Sequence, residues 1–142
     1  MRILGLDVGN NTIGVAVCDP LGYTAQGLKT IRRTSLEKDL EELGAVCSEY
    51  KVEKIVSGLP RNMNGTIGPQ GEKVLEFVGV LEKALGLPVE TWDERLSTVS
   101  AQRILIEGEV RRKNRKKVID KMAAVLILQN YLDSRPSGEK RV

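Results

Sequence analysis

The first twenty residues, MRILGLDVGNNTIGVAVCDP, hold two apolar runs on either side of Gly9-Asn10-Asn11, with one acid, Asp7, inside the first run. Ile3, Leu4, Leu6 and Val8 predict a short buried strand, because a compact apolar run bounded by turn residues is too brief for a core helix. Gly9-Asn10-Asn11 supplies a tight turn, and Thr12-Ile13-Gly14-Val15-Ala16-Val17 returns as the second strand of a hairpin. A chain that begins this way is committed to a sheet. It must also accommodate Asp7, since an ionised acid in a core strand is costly unless paired, hydrogen-bonded or bound to metal. The same residue suits a plainer role, opening the turn by accepting from the amides of Gly9 or Asn10. The hairpin alone is compatible with both.

Beyond the hairpin a third strand is expected over about 23–33, after strands at about 2–8 and 12–19. Helices then alternate with strands. Thr34 and Glu37 have the T-x-x-E spacing of a capping box. Leu36, Leu40, Leu43, Cys47 and Tyr50 follow at helical spacing. A strand is expected from Val52 to Leu59, followed by the polar loop RNMNGTIGPQG. The next helix carries Val74, Phe77, Val78, Leu81 and Leu85 on one face and stops at Gly86. Pro88 to Asp93 reads as a short fifth strand. Ser97 or Thr98 caps a helix ending near Gly108, and a last helix runs from about Lys117 to Asp133. Three meandering strands followed by helix–strand alternation describe an α/β fold, a mixed sheet covered by helices.

At 142 residues the chain fits one domain, able to bury roughly two thirds of its unfolded surface. No run approaches the roughly 20 apolar residues of a membrane span, and the start lacks a signal-peptide pattern. Cys18 and Cys47 are far apart with no CxxC pair, so a reduced, cytoplasmic setting is the expectation. Histidine is absent altogether. That removes Ser-His-Asp and Cys-His catalysis, zinc-His sites and imidazole proton shuttles together. Catalysis must rest on carboxylates, lysines, tyrosines, cysteines or metals held by oxygen.

Charge is distributed unevenly. Arg111, Arg112, Lys113, Arg115, Lys116 and Lys117 sit in one run, RRKNRKK, whose six cations are twice the net charge of +3, so the remainder is net acidic. A run of this kind commonly serves an anionic polymer. Its plainer reading is a solvated loop that aids solubility.

Three acids fall where a site would form. Asp7 ends the first strand, Glu94 lies just past the fifth inside TWDERLST, and Asp120 lies early in the last helix inside KKVIDKMAAVLIL. Open α/β sheets bind ligands at the carboxyl ends of their strands, where Asp7 and Glu94 fall. Asp93 and Glu94 are neighbours, so a strand points them to opposite faces and one of them faces the pocket. Asp120 also suits the helix dipole, worth about 0.3–1 kcal/mol. Ala123 and Ala124, however, let that helix approach the sheet closely and turn Asp120 inward. Taken together, the acids suggest metal-assisted chemistry on a phosphate ester. Carboxylates hold Mg²⁺ or Mn²⁺. Two such ions about 3.5–4 Å apart activate water and stabilise the departing oxyanion.

GLDVGNNTIGVAVCD, GLPRNMNGTIGP, WDERLST and RKKVIDKMAAVLILQ together resemble the YqgF (RuvX-like) nucleases, in the family's order, from residue 2 to about 133. The resemblance implies a ribonuclease-H-like fold with a five-stranded sheet in the order 3-2-1-4-5, over a single nuclease domain of residues 1–135. Residues 136–142 would be a frayed tail. Members have been regarded as Holliday-junction resolvases and are implicated in maturing the 5′ end of precursor 16S ribosomal RNA. Asp7, Glu94 and Asp120 would then be the catalytic, metal-binding acids of a two-metal site, with Asp7 bridging the ions. The resemblance favours Glu94 over Asp93. Arg95 and the 111–117 segment would contact substrate, and Asn62 and Asn64 would line the same cleft. One departure is Asn10-Asn11, where the family leads one to expect a basic residue at about position 11. The implied partners are precursor ribosomal RNA or branched DNA and ribosomal precursor particles, with no membrane and the oligomeric state open.

Two rivals compete with this reading. DVGNNTIG also resembles the first phosphate loop of actin-like and sugar-kinase ATPases, but those need a second such hairpin and two domains. No second D-x-G hairpin and no GxxxxGK[ST] sequence occurs. A non-catalytic nucleic-acid binder is the other, with RRKNRKK as a docking arm. An aromatic content of 4% argues against a base-stacking platform in such a binder. Metal dependence separates it from a nuclease.

Overall fold

The computed structural model describes residues 1–94 and 115–135, with 115–121 described as helix backbone only. The elements run β1 (Ile3–Val8), β2 (Thr12–Cys18), β3 (Ala25–Arg32), α1 (Leu36–Tyr50), β4 (Lys54–Leu59), α2 (Pro69–Leu85), β5 (Val89–Asp93) and α3 (Arg115–Ser134). The five strands form one sheet in the order β3-β2-β1-β4-β5. β1–β2 and β2–β3 pair antiparallel, while β1–β4 and β4–β5 pair parallel, giving the expected mixed sheet. The helix expected near 97–108 lies outside the described residues, as does the tail.

Strand alternation sorts the core into two layers. Leu4, Leu6 and Val8 of β1 join Ile13, Val15 and Ile55 beneath α1 and α2, packing against Leu43, Val74, Phe77 and Leu81. Ile3, Ala16 and Val56 point the other way, onto Ala123, Ala124, Ile127 and Leu128 of α3. Asp7 shares the parity of Ile3 and Gly5. Its face is therefore the α3 face.

Several boundaries differ from expectation for local reasons. The cap of α1 is Ser35, not Thr34: the amide of Lys38 donates to Ser35 Oγ at 3.2 Å. Ser35 is extended at φ −145, which leaves Glu37 one position short of a capping box. Replacing Ser35 with Ala should cost about 1 kcal/mol. Chemical denaturation checks this, with Thr34→Ala as the near-neutral control. β4 begins at Lys54, later than Val52, because the chain is still closing α1 there. Lys51 is left-handed at φ 54, and the Val52 amide donates to the Cys47 carbonyl at 2.9 Å. Gly86 ends α2 as expected, left-handed at φ 66. β3 starts at Ala25 because Asp19 Oδ1 accepts from the amides of Tyr23 and Thr24, holding that stretch in a turn. Arg115, Lys116 and Lys117 belong to α3, not to a segment before it; long unbranched cations are good helix formers.

Candidate active site at the carboxyl edge of the sheet

Two glycines bring α3 down onto the sheet. A Cβ on Gly5 would lie 2.7 Å from Leu128 Cβ and 3.2 Å from the Ala124 carbonyl oxygen. One on Gly58 would lie 2.5 Å from Ile127 Cδ1. At the other end of β4, Lys54 Nζ donates to Tyr131 Oη at 2.7 Å and pairs with Glu90 at 2.9 Å. Position 54 thus meets 131 while position 58 meets 127. The helix runs antiparallel to β4 and β1, and its N-terminal turns reach the carboxyl edge.

That edge carries the acids. The β1–β4 register, Gly5 with Val56 and Leu6 with Ser57, leaves Asp7 and Gly58 as the next residues of their strands, where the pairing ends. Gly58 in turn pairs with Trp92 of β5. Trp92 faces α3, its ring edge-on to Tyr131 with centroids 5.9 Å apart. Two residues on, Glu94 returns to the same face. Its Cγ lies 3.4 Å from where a Gly58 Cβ would stand, and its Oε1 is withdrawn from solvent. Asp7 and Glu94 thus share the α3 face at the carboxyl ends of β1 and β5, with β4 between them.

Asp93 takes the other face, where Arg61 Nε pairs with its carboxylate at 3.5 Å. The choice the sequence left between Asp93 and Glu94 is a matter of parity in the structure. Asp120 precedes Ala124 by one helical turn, about 6 Å, nearly the two-residue rise from Gly5 to Asp7. The backbone at Asp120 is therefore level with Asp7, while its side chain lies outside the described residues. Among the described residues no three acids, cysteines or histidines gather into a metal-binding group.

The loop after β4 stands at the same edge but is closed on itself. Asn62 Nδ2 donates to Thr66 Oγ1 at 2.9 Å, and Asn64 Oδ1 accepts from the Thr66 amide and hydroxyl at 3.1 and 2.7 Å. Arg61 Nη1 also donates to the Gly65 carbonyl at 3.2 Å, joining loop and β5 through one guanidinium. Sequence reasoning missed Arg61; its partner Asp93 is 32 residues distant and no local pattern links them. Arg95 and 111–114 lie outside the described residues, and of Arg115, Lys116 and Lys117 only the backbone is placed.

The remaining nucleophiles are unsuited to chemistry. Cys18 and Cys47 are free and buried. Burial pushes the Cys47 thiol up to about 11, and burial likewise raises Cys18. Neither supplies thiolate near neutral pH. The oxygen donors at the edge fit a hard cation such as Mg²⁺ or Mn²⁺: two carboxylates on one face, one oxygen of Glu94 shielded from water.

Over residues 1–134 the chain matches the family model described as RuvX, Holliday junction resolvase. A Clostridium tetani protein named "Putative pre-16S rRNA nuclease" is 62% identical over 134 residues, covering 94% of this chain and 97% of the relative. A Desulforamulus reducens protein of the same name is also 62% identical over 134 residues, with 94% and 98% covered. Among solved structures, T. thermophilus RuvC in complex with a Holliday junction substrate superposes with a TM-score of 0.59 at 16% identity, over 95% of this chain and 96% of that one. The fowlpox virus Holliday junction resolvase gives 0.53 at 12%, over 95% and 100%. At such identities the likeness is one of fold, the ribonuclease-H-like arrangement of sheet and helices.

Proposed function

The chain belongs to the RuvX family, and from that premise we infer that it is a divalent-metal-dependent nuclease acting on the 5′ end of precursor 16S ribosomal RNA. The observation that carries this reading is the placement of Asp7 and Glu94 on the α3 face at the carboxyl ends of β1 and β5, with the first turns of α3 level with them. Asp7, Glu94 and Asp120 would hold Mg²⁺ or Mn²⁺. Such ions, when bound, activate the attacking water and stabilise the departing oxygen.

The chain's own residues supply position and charge. β1 lies between β2 and β4, so Asp7 is carried on an interior strand with little freedom to move. The Arg61–Asp93 pair ties down the end of β5, which keeps Glu94 on the α3 face. Arg95 and Arg111, Arg112, Lys113, Arg115, Lys116 and Lys117 would contact backbone phosphates, which position a strand without reading its sequence. The loop bearing Asn62 and Asn64 would form one wall of the cleft. Precursor ribosomal particles in the cytoplasm are the setting this substrate implies; among the described residues no helix is long and apolar enough to cross a membrane.

A second reading, cleavage of branched DNA, rests on the family's own description. The name shared by the two 62% identical relatives, a pre-16S rRNA nuclease, favours RNA. Purified protein incubated with precursor RNA and with a four-way DNA junction separates the two. Mg²⁺ or Mn²⁺ should support cleavage, and Ca²⁺, with its looser coordination, should support binding with little turnover. Undiminished cleavage in excess chelator would refute the metal-dependent reading, and cleavage of the junction alone would replace the RNA reading with the other.

A further inference from the structure

On the opposite side of the sheet from Glu94 lies a cavity of about 430 Å³. It opens where the β1–β2 turn meets the start of α1 and the first half of α2. Its size falls within the range of about 300–1,000 Å³ typical of small-ligand sites. Val8, Val74, Phe77 and Val80 supply apolar surface, and Asn10, Gln70, Lys73 and Glu76 supply donors and acceptors.

The cavity is built around a charge pair. Asp39 is 2% exposed, and Arg33 Nε donates to its carboxylate at 2.9 Å. Arg33 Nη1 donates to the Gly9 carbonyl at 2.8 Å, fixing the guanidinium to the turn that follows Asp7. The guanidinium lies over the Phe77 ring, 4.9 Å from its centroid. The Arg33 side chain remains 23% exposed.

Charge decides what fits. Arg33 and Lys73 are balanced by Asp39 and Glu76, so the cavity has no surplus for a phosphate. A nucleobase matches it better, having a flat apolar face and an edge of both donors and acceptors. Unpaired bases stack on aromatic rings and on Arg guanidinium planes, and glutamine, lysine and glutamate side chains pair with base edges. Asn10, at the rim, is three residues from Asp7 and so no more than about 11 Å away. At about 3.4 Å per stacked nucleotide, that span corresponds to three nucleotides at most.

We propose that this cavity receives one unstacked nucleobase of the bound strand, within about three nucleotides of the phosphate cleaved beside Asp7. The proposal rests on the reading of the chain as a nucleic-acid enzyme and adds a subsite on the far side of the sheet. Holding a base there turns the strand around the β1–β2 turn and selects substrates that have an unpaired nucleotide beside the cleavage point.

A short single-stranded RNA carrying one central 4-thiouridine, irradiated with the whole protein in Ca²⁺ buffer, tests it. The expected crosslink falls on the peptide spanning 70–80 or on residues 33–36. Val80→Met, which narrows the cavity without adding an aromatic ring, should lower the yield about tenfold, the scale of losing one base stack. Gln70→Leu at the rim, which removes a base-edge partner, should do the same if Val80→Met does not fold, as judged by circular dichroism. Crosslinks confined to other peptides, no crosslink, or yields unchanged in both folded variants would overturn the proposal. Cleavage of precursor RNA is scored separately. A cavity crosslink without cleavage would leave the subsite standing and refute the nuclease reading, whereas cleavage without a cavity crosslink would do the reverse.

Discussion

Asp7→Asn should reduce phosphodiester cleavage by about a thousandfold or more while leaving the protein folded. The amide is nearly isosteric, and the change neutralises one acid on an interior strand. The stability effect should stay near the ±0.5 kcal/mol of a substitution that disturbs no packing, about 2 °C in Tm. Activity behaves differently, because a metal supplies several kcal/mol of charge stabilisation, and each 1.36 kcal/mol is tenfold in rate. Asparagine cannot hold a divalent ion with the strength of a carboxylate. Substrate binding measured in Ca²⁺ should fall far less than turnover, because phosphate contacts made elsewhere remain. Cleavage within about tenfold of the parent would remove Asp7 from the site.

Gly5→Ala should destabilise the fold by about 2 kcal/mol, which at this chain length lowers Tm by about 8 °C. The added methyl meets Leu128 Cβ at 2.7 Å and the Ala124 carbonyl at 3.2 Å. Both are anchored to the backbone of α3, so relief requires moving the helix away from the sheet. That movement would also lift the turn bearing Asp120 away from Asp7, so cleavage should fall alongside stability. Gly58→Ala is the control. Its methyl meets Ile127 Cδ1 at 2.5 Å, the far end of a flexible side chain that can rotate aside. A cost of about 1 kcal/mol is expected there. If Gly58→Ala proves the more damaging by thermal denaturation, close helix–sheet approach at Gly5 is not what positions α3.

The two glycines also show why the packing around the candidate acids could not be read from the sequence. Gly5 and Gly58 look like ordinary small residues in apolar strands. Only the packed helix reveals that each removes a side chain from its path. Arg33 and Asp39 were equally silent. In the sequence they are one charged residue after a strand and one in the first turn of a helix. Their meaning comes from Phe77 and Gly9, which the fold brings to them from 44 and 24 residues away.

The hairpin at residues 3–18, the amphipathic faces of α1 and α2 and the left-handed stop at Gly86 were all legible from residue pattern. They depend on periodicity and turn chemistry, which act within a few residues. The strand order came through family resemblance, since element order alone permits other sheets. Local competition between neighbours set the details that pattern misjudged. Ser35 outcompeted Thr34 as a cap because its extended backbone aims Oγ at the Lys38 amide, and Lys51 delayed β4 by closing α1. Which of Asp93 and Glu94 faces α3 needed the tertiary structure. Alternation states that adjacent residues face opposite ways, but not which way is toward the site. That was decided by where α3 lies and by Arg61, whose pairing with Asp93 holds one acid off the face that Glu94 occupies.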